Sequence, residues 1–276
     1  KKALSLVSNR TNTFMHNKFF IFDKERVFTG TMNISLSGSG GYNSNTVLVI
    51  NSQRLAQIYL GELEQMLEGK FQKQKADMSV ENILLPSGIE LSVYFSPRGS
   101  AYLGKIKPLL EDAKQEIFVS AFYLTHKGIV EDLKAAKARG VEVRVIMDAS
   151  AAANKHSKVH EIRASDIACK VENWGGKSHE KNMVIDKKHF IVGSANFSNS
   201  GFTKNDENVL IIKSPAISEF YRAHFLKLWA SIDDKYLTQT PRAESFESRG
   251  SCYDGIDNNH DGKIDSKDEG CFAKSR

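Results

Sequence analysis

Two stretches of the sequence carry a histidine, a lysine and an asparagine at the same spacing. They are residues 15–35, "MHNKFFIFDKERVFTGTMNIS", and residues 178–198, "SHEKNMVIDKKHFIVGSANFS". A base, a cation and an amide donor that converge on one point suit a phosphate ester, because the cation and the amide bind phosphoryl oxygens while the base attacks phosphorus or transfers a proton. The candidate residues are His16, Lys18 and Asn33 in the first stretch and His179, Lys181 and Asn196 in the second.

The spacing also predicts how these side chains are positioned. In each stretch two apolar runs flank a short polar turn, which is typical of a β-hairpin. The histidine and the lysine are two residues apart, so on a strand both side chains leave by the same face. A basic surface hairpin would explain one such stretch, but a second copy at a constant offset favours a duplicated functional element.

The similarity between the two halves continues downstream. "NTVLVI" at 45–50 parallels "ENVLII" at 207–212, and an amphipathic helix is predicted after each of them. A duplication of this kind is typical of two similar lobes packed face to face. Before the second stretch strands and helices alternate, which predicts a mixed, largely parallel sheet flanked by helices. The predicted fold class is therefore α/β, with the active site at the interface of two similar lobes.

Both stretches fit the pattern H-x-K, four residues, D, six residues, G-[S/T]-x-N. With this pattern the chain resembles the phospholipase D superfamily, from residue 1 to about Asp233, and its lobe is most similar to the small nuclease-like branch. The resemblance implies a phosphodiester hydrolase that requires no metal for its chemistry. It also implies that one histidine forms a covalent phosphohistidine while the other protonates the leaving group.

Within that mechanism the two histidines need different environments. Asn45 and Glu207 occupy equivalent positions after the two stretches, and the resemblance implies that such residues support the histidine of their own lobe. A carboxylate beside His179 would raise its pKa and suit it as the general acid, whereas His16 beside an amide would stay neutral and attack. We therefore expect His16 to be the nucleophile and His179 the acid.

The other residues of the two stretches are expected to bind phosphate or to support the hairpins. Lys18, Lys181, Asn33 and Asn196 would neutralise the phosphoryl oxygens. Thr31 and Ser194 would add hydroxyl donors to the phosphate, while Asp23 and Asp186 would have structural roles at the hairpin turns. The remaining histidines have no counterpart in the other half and are interpreted as incidental: His126, His156, His160, His189, His224 and His260.

The repeat also predicts the domain organisation. Lobe one is assigned to residues 1–70 and lobe two to residues 90–235, with linkers at 71–89 and 236–251. Only fifteen residues precede His16, whereas three strands and two helices are predicted before the second histidine. We therefore expect lobe one to be truncated at its N-terminus and its sheet to have an open edge where strands would pair.

A small acidic segment, residues 252–271, follows the second linker. Cys252 and Cys271 bracket it and are expected to form a disulfide, which indicates an oxidising compartment: the periplasm, the cell surface or the medium. The segment between them resembles a dockerin-like or thrombospondin-like calcium loop. Its expected calcium ligands are Asp257, Asn259, Asp261, Lys263 (through its carbonyl), Asp265 and Asp268. The third cysteine, Cys169, is interpreted as a buried thiol.

The charge balance favours an anionic substrate. The chain of 276 residues has a net charge of +5, and the acidic segment contributes −4, which leaves +9 on the remainder. This charge leaves both a phospholipid and a nucleic acid open as the substrate. No cofactor is expected for catalysis, calcium is expected to be structural, and a monomer is the default because both motifs lie on one chain.

Two other function classes remain open from the sequence. A non-catalytic protein could bind phosphate or a polyanion and use the calcium segment to anchor itself to a surface or partner. A metal-dependent nuclease is disfavoured, because the acidic residues cluster in the tail and not beside the motifs.

Overall fold

The computed structural model describes residues 13–272 and contains two sheets with helices packed against them. The strands are β1 Phe19–Phe22, β2 Arg26–Gly30, β3 Val47–Asn51, β4 Val80–Leu84, β5 Glu90–Ser96, β6 Glu116–Ala121, β7 Glu142–Met147, β8 Ala168–Val171, β9 Lys181–Ile185, β10 His189–Gly193 and β11 Glu207–Lys213. The helices are α1 Leu36–Ser39, α2 Gln53–Leu67, α3 Lys107–Asp112, α4 Lys127–Ala138, α5 Ala149–Ala152, α6 Val159–Ala164, α7 Asn199–Thr203 and α8 Pro215–Ser231.

Both motif stretches form the predicted β-hairpins, β1–β2 and β9–β10. The turns have positive φ at both central residues, 53° and 57° at Asp23 and Lys24 and 52° and 54° at Asp186 and Lys187. Two such residues match the right-handed twist of the flanking strands. The carboxylate of Asp186 also accepts hydrogen bonds from the backbone amides of residues 114–116, as expected of a residue with a structural role at the turn. Asp23 is exposed at the equivalent turn.

Lobe two is built on an eight-stranded mixed sheet in the order β4-β5-β11-β10-β9-β6-β7-β8. Parallel pairing is confined to β6, β7 and β8, and every other neighbouring pair is antiparallel. The predicted mixed α/β fold with flanking helices is therefore confirmed, but the sheet is not largely parallel. The motif hairpin β9–β10 imposes an antiparallel direction on its two strands, since strands joined by a short turn reverse the chain.

Lobe one contributes a three-stranded antiparallel sheet in the order β1-β2-β3. Within residues 13–272 no strand pairs with the outer edge of β1, whereas its counterpart β9 pairs with β6. This agrees with the predicted open edge. The inner face of the sheet packs on lobe two, because Val27 and Ile50 share one apolar cluster with Phe190 and Leu210. Burial of this cluster joins the two lobes into one body.

The helices after β3 and β11 begin in the same way. Ser52 caps α2 and Ser214 caps α8, and each hydroxyl accepts a hydrogen bond from the amide three residues later. α2 packs on β1 and β2, and α8 packs on β6, β9 and β10. The duplication predicted from the sequence therefore extends to helix capping. Within residues 13–272 no helix has the length and apolar character needed to cross a membrane.

The two segments interpreted as linkers are parts of the packed body, and that interpretation is corrected. Residues 71–89 contain β4, which pairs with β5, and the buried Lys75. In residues 236–251 Tyr236 and Glu244 are buried. The predicted disulfide between Cys252 and Cys271 is present, and Cys169 is buried, as predicted.

Candidate active site

The motif histidines lie where the lobes meet, which we call the seam. At the seam Met15 bridges to Asp206 and Ser178 bridges to Ser44, so the residue before each histidine contacts the other lobe. The backbone amide of His16 donates to the carbonyl of Asp206 at 2.9 Å, and that of His179 donates to the carbonyl of Ser44 at 3.0 Å. Each histidine is therefore held in place by the lobe that does not carry it.

The side chains follow the same reciprocal pattern. His16 Nδ1 lies 2.7 Å from Glu207 Oε2, and His179 Nδ1 lies 2.9 Å from Asn45 Oδ1. The expectation that Glu207 and Asn45 support the histidines of their own lobes is wrong. Both residues stand at or just before the start of a strand that borders the seam, β11 or β3, and from there they reach across it.

These contacts determine which ring nitrogen is available for chemistry. The amide nitrogen of Asn45 donates to the carbonyls of Gly38 and Asn43 at 3.1 and 3.3 Å, so its oxygen faces His179 and the ring carries a hydrogen on Nδ1. The carboxylate of Glu207 is an acceptor only and fixes the hydrogen of His16 on Nδ1 in the same way. Nε2 is therefore the reactive nitrogen of both rings.

Thr31 and Ser194 orient these supporting residues and do not face a phosphate. The Thr31 hydroxyl donates to Asn45 Oδ1 at 3.1 Å, and the Ser194 hydroxyl donates to Glu207 Oε2 at 2.6 Å. Each hydroxyl also accepts a backbone amide hydrogen bond at 2.9 Å, from Thr46 and Asn208 respectively. The predicted phosphate-binding role is corrected, because both buried hydroxyls already have a donor and an acceptor.

Burial and positive charge dominate the electrostatics of the site. Lys18 Nζ donates to the carbonyl of His16 at 3.0 Å, and Lys181 Nζ donates to that of His179 at 2.9 Å. Burial lowers the pKa of Lys18 to about 8 although Glu207 opposes it, and burial together with Lys18 lowers the pKa of Lys181 well below its ordinary value. Two partly desolvated ammonium groups beside one another make the seam attractive to an anion.

Burial at the seam has different outcomes for the pKa values of Glu207 and His179. Burial acts to raise the pKa of Glu207, but the hydrogen bond and charge of His16 outweigh it, so the pKa is lowered and the carboxylate is ionised. Burial, followed by the charges of Lys181 and Lys18, lowers the pKa of His179 to about 2. The expected raised pKa of His179 is therefore wrong, because its partner is an amide and its neighbours are cations.

A cavity of about 240 Å³ opens beside His16 on the lobe-one side of the seam. His16, Lys18 and Asn33 line it together with apolar side chains that include Phe20 and Ile34. Several of the apolar side chains that line this mouth are exposed: Met15 by 49%, Phe20 by 46% and Ile34 by 67%. Asn33 is exposed at the mouth and Asn196 is half-buried, and their predicted contact with phosphate stays a prediction.

Two buried polar networks beneath the histidines were missed from the sequence. Under His16, Lys75 forms ion pairs with Glu62 and Asp206, and all three side chains are buried. Under His179, Glu180 accepts hydrogen bonds from Ser44 and Asn182 and pairs with His224. The interpretation of His224 as incidental is corrected. Glu62 and His224 occupy equivalent positions in the repeat, and that equivalence was the available signal.

Comparison with known proteins identifies the fold and the family. A family profile described as the phospholipase D-like domain of cardiolipin synthase matches residues 2–67 and 106–229, which is most of the chain. The chain belongs to the phospholipase D-like family. Both matched ranges end before the disulfide-closed tail, residues 252–271.

Individual members of the phospholipase D-like family match smaller parts of the chain. Phospholipase D of Rickettsia conorii is 35% identical over 122 residues, 44% of this chain and 61% of that protein. Phospholipase D of Rickettsia bellii is 32% identical over 145 residues, 52% of this chain and 72% of that protein. The crystal structure of Nuc from Salmonella typhimurium, a phospholipase D family member, aligns with a TM-score of 0.50 and 28% identity over 52% of this chain and 97% of that one.

Side chains among the expected calcium ligands of the tail bond to backbone amides and to one another. Asp257 accepts hydrogen bonds from the amides of Asp261 and Gly262, and Asn259 donates to Asp268. Asp265 turns away and accepts from the amides of residues 254 and 255. Among residues 13–272 no three His, Cys, Asp or Glu side chains are arranged to hold a metal ion. Calcium binding by this segment stays a prediction.

Binding of an oxyanion should be accompanied by proton uptake at His179. Burial depresses the pKa of His179 most, and the ammonium groups of Lys181, Lys18 and Lys177 depress it further. A bound anion offsets their charge, so the pKa rises and the neutral ring takes up a proton. Titration calorimetry with tungstate near pH 6.5, in buffers of different ionisation enthalpy, should detect this uptake. The His179→Asn variant should take up fewer protons than the wild-type protein when tungstate binds. Equal proton uptake by both proteins would contradict the assignment of the uptake to His179.

Proposed function

We propose that this chain is a phosphodiesterase of the phospholipase D type that acts through a covalent phosphohistidine. The observation that carries the proposal is the pair of motif histidines held across the seam with Nε2 free on both rings. Membership of the phospholipase D-like family supports phosphodiester hydrolysis as the reaction class.

In the first step His16 Nε2 attacks phosphorus and the bond to the leaving alkoxide breaks. His179 gives its Nε2 proton to that alkoxide. A positive charge develops on the phosphorylated ring of His16, and the carboxylate of Glu207 at 2.7 Å stabilises it. The sequence assigned His16 as nucleophile because an amide partner would keep it neutral. The structure supports the same assignment for another reason, the carboxylate of Glu207 beside His16. In the second step His179 takes a proton from water, the water oxygen attacks phosphorus, and His16 leaves.

Lys18 and Lys181 would stabilise the charge on the phosphoryl oxygens throughout both steps. Their ammonium groups are buried and prepositioned by hydrogen bonds to the carbonyls of the motif histidines. Such groups stabilise a transition state without reorganising during the reaction. Asn33 and Asn196 would add amide donors. A bound anion also raises the pKa of His179, so the general acid acquires its proton when substrate fills the site.

The exposed apolar mouth favours a phospholipid head group as the substrate class. Ile34 follows Asn33 directly, lines the cavity and lies largely in solvent, where it is suited to contact acyl chains. The Rickettsia relatives named phospholipase D support the same class. Nucleic acid is the second candidate, since the chain without its tail carries a net charge of +9.

Paired hydrolysis assays without added metal test the substrate class. We expect the protein to release head groups from phosphatidylcholine or cardiolipin vesicles, and EDTA to leave the rate unchanged. Single-stranded DNA is the competing substrate, and faster cleavage of DNA than of lipid would reverse the choice. The His16→Asn and His179→Asn double variant is the control. Turnover retained by it would support the non-catalytic binding alternative for the seam.

The remaining expectations also stand as proposals. The disulfide between Cys252 and Cys271 supports a secreted, periplasmic or cell-surface location. The spacing of the acidic residues supports a structural calcium ion in the tail, and binding would require Asp265 to turn inward. The calcium-bound tail would anchor the protein to a surface or a partner. We expect no cofactor for catalysis and a monomeric protein.

A further inference from the structure

The disulfide-closed tail, together with Arg249 just before it, packs directly on the segment that leads into the active site, residues 173–178. The amide of Gly175 donates to the carbonyl of Arg249 at 2.6 Å, and the amide of Arg249 donates to the carbonyl of Asn173 at 2.8 Å. The amide of Gly176 donates to the side-chain oxygen of Asn258 at 3.1 Å. The tail therefore satisfies the backbone of the segment just before His179.

The opposite side of this segment is held by lobe one. The amide of Ser44 donates to the carbonyl of Lys177 at 2.8 Å. Gly176 has a φ of +87°, and a Cβ at this position would lie 1.8 Å from the carbonyl oxygen of Tyr42. Only glycine fits between lobe one and the tail here. The segment is thus clamped between Tyr42 on one side and Asn258 on the other.

Asn258 is rigidly held within the tail. Its side chain is 1% exposed, and its amide nitrogen lies within hydrogen-bond distance of Asp254 and the carbonyl of Ser251. Its backbone amide donates to the buried carboxylate of Glu244 at 2.8 Å. The disulfide between Cys252 and Cys271 closes the same unit. An acceptor fixed in this way can position the segment that it binds.

A second contact leads from the tail to the histidine ring. His260 contacts the ammonium group of Lys177, which lies 5.5 Å from the centre of the Phe122 ring. The Phe122 ring is in turn 5.0 Å from the ring of His179. His260 is exposed, and its interpretation as incidental is not tested by this contact.

We propose that Asn258 and His260 are positioning residues for His179, which hold residues 173–178 so that its ring reaches the leaving group. The inference rests on the proposed function. It goes beyond the family, because the tail lies outside the residues that match the family profile.

Substrates with different leaving groups separate positioning from folding. An alkyl leaving group needs the proton of His179, whereas a 4-nitrophenolate leaving group does not. Asn258→Ala should lower the turnover of an alkyl ester by about 10- to 100-fold, since a small misplacement of a catalytic group costs rates of this order. The first-step burst with bis(4-nitrophenyl) phosphate should change less than about 3-fold. A general loss of folded protein would reduce both rates equally.

Lys267→Ala is the matched control, since Lys267 lies in the same tail, is exposed and is not one of the expected calcium ligands. It should leave both rates unchanged. His260→Ala, at an exposed position, should act in the same direction as Asn258→Ala by about 3-fold and covers the case in which Asn258→Ala does not fold. Equal effects of Asn258→Ala on both leaving groups, or no effect of either variant, would overturn the proposal.

An activity-independent measurement separates this inference from the proposed function. Hydrogen exchange at residues 173–179 should speed up in Asn258→Ala and stay unchanged in Lys267→Ala. A wild-type protein that cleaves neither ester contradicts the proposed function. The hydrogen-exchange measurement still reports whether the tail holds residues 173–178 in place. An unchanged hydrogen-exchange rate in Asn258→Ala would show that Asn258 does not hold residues 173–178, whether or not the protein is active.

Discussion

A His179→Asn variant supplied with bis(4-nitrophenyl) phosphate should release about one equivalent of 4-nitrophenolate per protein and then stall with a phosphoryl group on His16. The leaving group is weakly basic, so the first step needs no acid. The second step needs a base to activate water, and the variant lacks it. Steady-state turnover should fall by roughly 10²- to 10⁴-fold, the range for loss of a general acid–base group.

Peptide mapping of the stalled protein measures the outcome directly. The phosphorylated peptide should contain His16, and a His16→Asn variant should show neither burst nor label. The reverse allocation is a definite alternative, because an imidazolium at His16 paired with Glu207 could act as the acid. Label on His179 in the His16→Asn variant would establish that alternative.

Replacing Glu207 by glutamine should lower kcat by about 10²- to 10³-fold, comparable to the removal of one electrostatic stabiliser of a transition state. The carboxylate lies 2.7 Å from His16 Nδ1 and would stabilise the positive ring of the phosphohistidine. Glutamine keeps the size of the side chain but removes its charge. KM should change little, because the charge on the ring develops only during the reaction.

Ser194→Ala is the matched control for Glu207→Gln. It removes the hydroxyl that donates to Glu207 at 2.6 Å but leaves the charge in place, so we expect a loss of about 10-fold or less. Thermal unfolding of both variants reports whether the buried site still folds. Activity of Glu207→Gln within about 5-fold of the wild-type value would show that the charge does not stabilise the reacting ring.

The location of the site could be predicted because the same histidine, lysine and asparagine motif occurs twice in the sequence. Hairpin turns, strands and helix caps depend on neighbouring residues, so both motif hairpins and the helices after them were expected. The direction of the sheet was not, because β5, β6 and β7 alternate with helices and suggested parallel neighbours, whereas β11, β10 and β9 lie between β5 and β6 in the sheet. Strand β4 was missed since it is short and carries an irregularity between Val80 and Ile83.

Partners across the seam could not be predicted from spacing. Glu207 is close in sequence to the lobe-two motif, yet its carboxylate bonds His16, because docking of the lobes decides which ring it meets. The hydroxyls of Thr31 and Ser194 were assigned to phosphate for the same reason: their residue type allows it, and only the fold shows that Asn45 and Glu207 occupy them. The contacts of the tail with residues 173–178 likewise depend on tertiary packing.

The reciprocal exchange of supports has an evolutionary consequence. Each half of the duplication keeps a histidine whose working partner is encoded in the other half, at Glu207 for His16 and at Asn45 for His179. Substitutions that change one half therefore also impair the histidine of the other half. A single half on its own would need a second molecule to supply the missing partner. Selection should consequently treat these distant positions as linked pairs inherited together.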